Sequence, residues 1–212
     1  MIMNEITPGL AYAYLDEAQK MNPGPWIGHS MHVAKAARYI AERVPNLNPQ
    51  IAEAFGYIHD IGRRFGIYKM NHVILGYKFM IQERYIDAAK ICLTHSFPTK
   101  NADDDIAEWD CSNEDYLFVK QFIDTVEFNE YDELLQLCDA LALPNGFTII
   151  ERRLVDISLR YGVDNNTIKR WKAFFSLQDN IEKKLGCSIY TLLPGIEVNL
   201  LEKPLRESLS AF

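Results

Sequence analysis

At 212 residues the chain has the size of one domain, or of one domain with an extension, and is long enough to bury a core. A hydrophobic content of 48% beside 24% charged residues is that of an ordinary globular protein and excludes a disordered or fibrous chain. The formal net charge of −7 leaves no basic surplus for non-specific nucleic-acid binding, yet it does not exclude a phosphorylated substrate, because a bound cation can supply positive charge locally.

Residues 4–20 carry a weak helical pattern in Ile6, Leu10, Ala13, Tyr14 and Ala18, which Asn22, Pro23, Gly24 and Pro25 break. A second helix over 29–43 repeats Val33, Ala36, Ala37 and Ile40 at helical spacing. His29 heads that apolar stripe, whereas His32 is off by one and should face the rim or solvent. After a turn over 45–49, a third helix over 51–59 is nearly all apolar and ends on the adjacent pair His59 and Asp60, with the helix-stopping Gly62 close behind. Two ionisable side chains at the end of a buried helix are costly unless something pairs with them. Neighbouring helical side chains point about 100° apart, so both reach one point only near the axis at the helix end. A metal ion there would explain the pair, since imidazole and carboxylate are standard ligands for divalent cations. The plainer alternative is a helix C-cap with a satisfied histidine.

Residues 71–80 place His72, Leu75, Gly76, Phe79 and Met80 on one face. Gly76, one turn beyond His72, would admit another backbone or a ligand. The next helix, over 86–95, puts Ala88, Ile91, Cys92 and His95 on one stripe and is stopped at Phe97 and Pro98. For each of these histidines a core position competes with a ligand role. Residues 96–115 are acidic and irregular, and read either as a lid or as a solvated surface loop. Helices follow over 113–124 and 131–143. In the second of them Asp139 sits among Leu135, Cys138 and Ala142, where a carboxylate is hard to justify without a partner. Pro144, Asn145 and Gly146 end it.

The remainder reads as helices over 147–161 and 165–185 with a short tail. Residues 160–171 look superficially like a helix-turn-helix, but no basic cluster extends beyond Lys169, Arg170 and Lys172, and two helices completing the bundle is the stronger reading. No strand and no repeat is expected. The architecture is therefore all-α, with one unit over 1–145 and a C-terminal helical extension over 146–212 packed on the same domain. Cys92, Cys111, Cys138 and Cys187 are widely separated, which fits reduced thiols. The first residues lack a basic, apolar leader and no run is long enough to span a bilayer, so a cytoplasmic protein is expected.

Four of the five histidines (His29, His59, His72, His95) and two aspartates (Asp60, Asp139) fall at the ends or on the apolar stripes of successive helices. Histidines scattered for unrelated reasons would mostly land on exposed faces. The order His29-Ser-x-x-Val33-Ala, then His59-Asp60-Ile-Gly-Arg63, then a late Asp139, resembles the HD-domain metal-dependent phosphohydrolases over residues 25–143. The resemblance implies an HD-domain-like helical bundle around a central metal site. It implies His29, His59, Asp60 and Asp139 as the basal ligands, and it places His72 and His95 where two-metal members carry second-metal ligands.

The order of these residues is similar to that of small bacterial members that hydrolyse dinucleoside polyphosphates symmetrically. The chain departs from those members in its acidic insertion, its C-terminal helices and the lack of an arginine motif just after Asp139. The signatures of cyclic-di-nucleotide phosphodiesterases are absent. The implied activity is hydrolysis of a phosphate ester or anhydride, in a small nucleotide-like metabolite, by a metal-activated hydroxide. One or two divalent transition-metal ions (iron, manganese, cobalt or zinc) would be held, with Asp60 shared between two. Arg63 and Arg64 are candidate phosphate clamps, a plain surface arginine being the alternative for either, and Lys69 and Lys100 are weaker candidates. A non-catalytic nucleotide- or metal-sensing protein on the same fold is the rival reading. No nucleic acid and no membrane partner is expected, and a homodimer is left open.

Overall fold

In the computed structural model, which describes residues 5–202, proline sets the start of each of the first three helices. Helix α1 (Pro8–Met21) is capped by Thr7, whose hydroxyl accepts from Leu10 N. Helix α2 (Pro25–Ala41) starts four residues before the pattern suggests, because Pro25 occupies a first turn where its missing N–H costs nothing. Helix α3 (Pro49–Ile58) is capped by the Asn48 side chain on Gln50 N.

The chain continues through a 3-10 turn (Ile61–Phe65), α4 (Asn71–Gln82), α5 (Ile86–Thr94), a short 3-10 turn (Ala102–Asp104), α6 (Asn113–Thr125) and α7 (Glu130–Leu141). After α7 a minimal antiparallel hairpin pairs β1 (Ala142–Leu143) with β2 (Gly146–Phe147), Ala142 opposite Phe147. This corrects the expectation of no strand. Two-residue arms are too short to show an alternating pattern. Helices α8 (Ile150–Tyr161) and α9 (Thr167–Leu185) follow, then a 3-10 turn (Ile189–Leu192) and a π-helical turn (Val198–Glu202). The fold is all-α, and no described helix is long and apolar enough to cross a membrane.

The main core gathers Leu15, Ile40, Ile58, Ile61, Met80, Ile91, Leu134 and Leu137, and Leu154, Leu177, Ile181 and Ile189 belong to the same buried cluster. Each such side chain contributes roughly 1.5–3 kcal/mol by leaving water. Two glycines bring backbone segments together. A Cβ at Gly56 would sit 2.3 Å from Ala34 Cα, so α2 and α3 touch backbone to backbone there. A Cβ at Gly62 would sit 2.0 Å from the His72 carbonyl oxygen. Gly62 thus does more than stop a helix: it lets the turn after Asp60 lie directly against the start of α4. Gly76 admits backbone as expected, its own added Cβ meeting Gly62 N at 3.3 Å and Cys92 at 3.1 Å.

A second cluster of Met70, Val73, Ile74, Leu93, Phe97, Ala102, Val119 and Ile123 lies partly under the 96–112 segment. That acidic segment is therefore not a loose loop. Phe97, Ala102 and Asp104 are buried, and the Asp110 carboxylate accepts from Lys69 N and Asn71 N, both at 2.8 Å, just ahead of α4. Of the four thiols, Cys92 and Cys138 are buried, while Cys187 is exposed and Cys111 only partly covered.

Candidate metal centre

Five stretches of chain deliver one polar cluster to the middle of the bundle. His29 comes from α2, His59 and Asp60 from the end of α3, His72 from the first turn of α4, His95 from the end of α5 and Asp139 from the last turn of α7. The four imidazoles are buried, with ring centroids 5.3 Å apart for His29 and His59, 4.9 Å for His59 and His95, and 5.6 Å for His72 and His95.

Each ring is held the same way. Nδ1 of His29 lies 3.2 Å from Ala142 O, that of His59 2.8 Å from Gly56 O and that of His95 3.1 Å from Ile91 O, while Nδ1 of His72 is set against Lys69 O. A backbone carbonyl only accepts, so Nδ1 carries the proton in every case and donates it. All four Nε2 atoms are then turned inward. This is the arrangement by which outer hydrogen bonds fix the tautomer of metal-binding histidines.

The inward atoms fall into two overlapping sets. His29 Nε2 is 2.7 Å from Asp139 Oδ1, and His59 Nε2 is 3.9 Å from the same oxygen. Asp60 faces the other way with Oδ1, 3.1 Å from His72 Nε2 and 3.6 Å from His95 Nε2, while its Oδ2 is 3.8 Å from His59 Nε2. His29, His59 and Asp139, and separately His59, Asp60 and His95, each bring three ligand atoms within 4.8 Å of one another. His59 Nε2 and Asp60 Oδ1 are both buried and have no hydrogen-bond partner among the described residues. Orphaned acceptors of this kind at the centre of a fold are expensive, and a divalent cation satisfies both at once. The donor set therefore fits a metal.

The titration behaviour has the same origin. Burial pushes His59 down to about 4 against the pull of Asp60. Burial also lowers His72, helped by the Arg63 guanidinium. His95 is raised, because the Asp60 carboxylate overcomes its burial. Burial alone would raise both carboxyls. Arg63 and the neighbouring imidazoles hold Asp60 well below the usual range, and His29 does the same for Asp139. The side chain of Asp139 keeps 28% of its surface exposed, as does that of Arg63, so the cluster opens to solvent on that side.

A family model described as the HD domain matches residues 26–143, more than half of the chain. The chain belongs to the HD domain family. The matched segment runs from the first turn of α2 through β1 and contains all six clustered residues. HD domains bind divalent metals and are generally metal-dependent hydrolases. The comparison with curated proteins and that with solved structures returned no match.

Within this HD domain the arginines part ways. Arg63 donates from Nε to Asp60 Oδ2 at 2.7 Å and from one terminal nitrogen to Tyr68 O at 3.0 Å. Arg64 turns away from the cluster. It lies 3.1 Å from Glu17 Oε2 and stacks 4.2 Å from the Phe79 ring centroid. Lys69 pairs with Glu108, and Lys100 lies 3.4 Å from Glu133 and over the Phe128 ring. His32 stays outside, bonded at Nδ1 to Gly28 O at 2.8 Å with its ring edge-on to Phe147. One charged neighbour of the cluster was not singled out from sequence. Arg153, Asp156 and Arg160 form a stripe on α8, and Arg153 acts electrostatically on Asp139. Their i, i+3, i+7 spacing was visible, but such a stripe reads first as a solvated face.

Proposed function

We propose that the protein is a cytoplasmic metal-dependent phosphohydrolase that cleaves a phosphate ester or anhydride in a small nucleotide-like metabolite. The observation that carries this is the buried meeting of four inward Nε2 atoms with two carboxylates, in which His59 Nε2 and Asp60 Oδ1 have no hydrogen-bond partner among the described residues. Bound divalent ions would supply there the polarisation of phosphoryl oxygens and an acidified water. His29, His59 and Asp139 would hold one ion, and Asp60, His72 and His95 a second, with Asp60 between the two sets.

The protein's own contribution is positional. The carbonyl anchors keep each imidazole in the tautomer that can ligate, and burial keeps His59 unprotonated. Arg63 holds Asp60 ionised from the solvent side and stands at the opening where a phosphoryl oxygen would arrive. The nucleotide-like substrate is supported by the order of the ligand residues along the chain. Protein loaded with manganese or iron and given a panel of nucleotides and sugar phosphates should release phosphate, and a chelator should stop the release. A metal-loaded protein that turns over none of these compounds would favour a sensor.

A further inference from the structure

We propose that α8 supplies this centre with a substrate-binding arginine, Arg153, which engages a phosphoryl group of the substrate. The inference takes its setting from the phosphohydrolase reading but is tested by binding alone. Arg153 lies beyond the segment that the HD family model covers. The β1–β2 hairpin turns the chain back after α7, with Thr148 N donating to Leu141 O at 2.9 Å, and α8 then packs on α7. Arg153 and Asp139 are thereby brought into electrostatic contact.

The hydrogen bonding of Arg153 is poor for a buried cation. Its side chain is 12% exposed. The one hydrogen bond it makes among the described residues runs to Asp156 Oδ2 at 3.4 Å, and that oxygen is already held by Arg160 at 2.7 Å. Arg153 Nε is buried without a hydrogen-bond partner among the described residues. A guanidinium has five donors in a fixed fork, and leaving most of them unused away from water is costly. Arg153 shares Asp156 with the more closely held Arg160, and Asp139 is the other carboxylate that acts on it.

That influence is offset once a cation binds. Asp60 and Asp139 are the carboxylates of the cluster that face Arg63 and Arg153, and every divalent ion they take up makes the cluster more positive. Arg153 then needs an anion from outside. Both arginines lie within electrostatic reach of Asp139 and of the half-exposed Tyr161. A phosphoryl group presents pairs of oxygens that match the planar fork, which a point charge such as lysine does not.

The test uses full-length, manganese-loaded protein with Arg153→Gln and Arg153→Lys, titrated calorimetrically with inorganic phosphate and with pyrophosphate, metal content being measured in parallel. Arg153→Gln should keep its metal and bind phosphate at least about tenfold more weakly, with Arg153→Lys in between. Arg153→Lys keeps charge and stem, and carries the test alone if the glutamine variant does not fold. Phosphate affinity within about twofold of wild type in the variants would overturn the proposal. So would loss of metal in both variants, which would make Arg153 a support for Asp139 only. Should the wild type hydrolyse nothing yet bind phosphate in an Arg153-dependent way, the hydrolase reading falls and this inference stands.

Discussion

His59 is pushed down to about 4 by burial, so its Nε2 lone pair is open to a cation throughout the neutral range. His95 moves the opposite way because Asp60 stands beside it. The two shifts have opposite consequences for the metal-free protein. For His59 the unfolded chain binds a proton between its ordinary value of 6.5 and about 4 while the folded chain does not. Stability therefore falls as pH drops through that window, by about 3 kcal/mol for this group alone. For His95, whose value is raised, the stabilisation is present at lower pH and fades as pH rises through the raised value. The same asymmetry predicts ordered metal release, because ligands must be deprotonated to bind. Protons compete at His95 first, so a two-metal protein titrated with acid should lose the ion held by Asp60, His72 and His95 before the one held by His29, His59 and Asp139. Metal equivalents per chain should fall in two steps in the wild type, and His95→Ala should show only the later one. A single step in the wild type would speak against two sites of different proton affinity.

The helices matter because they hold those rings in register. The C-terminal end of α5, which carries His95, is clamped to α7, which carries Asp139, by a buried polar network. Asp132, with no exposed surface, accepts from Thr94 Oγ1 at 2.7 Å and from Lys90 Nζ at 2.6 Å, and caps the Asn129 N–H at 2.7 Å. Gln136 donates to Thr94 O at 2.8 Å and to Phe97 O at 3.2 Å. Asp132→Ala leaves Lys90 and Thr94 without their buried partner and should cost about 3–5 kcal/mol. It should also loosen the ion that His95 binds more than the one that Asp139 binds, as thermal unfolding and metal analysis would show. Equal loss at both positions would mean that the network supports the bundle generally and not the end of α5.

The sequence showed the helices that carry the ligands, through prolines, caps and the 3.6-residue period. It did not show this clamp. Asp132 and Gln136 lie one turn apart on α7, but Thr94 is 38 and 42 residues away from them in the chain, and each reads alone as an ordinary polar residue. The start of α2 was misplaced because Pro25 reads as a breaker when it is in fact the first turn. Arg64 was indistinguishable from Arg63 by position, since only the 3-10 geometry of 61–65 sends one to Asp60 and the other to Glu17.

At the scale of the whole molecule, the acidic 96–112 segment and the C-terminal helices are joined. Lys169 Nζ meets Asp104 Oδ2 at 2.6 Å, and Arg170 donates to Asp104 O while pairing with Asp164 at 2.7 Å. The base of the N-terminal end of α9 therefore braces the segment whose Asp110 caps the approach to His72. The net charge of −7 does not exclude the proposed phosphorylated substrate, because Arg63, Arg153 and a bound metal would concentrate positive charge around Asp139. The central claim is that residues drawn from five parts of the chain form one cation-binding centre, and elemental analysis of purified wild type beside Asp60→Ala tests it most directly. The wild type should carry one or two equivalents of a divalent transition metal, and the variant, its fold retained, should lose most of it. Equal metal content in the two proteins would contradict it.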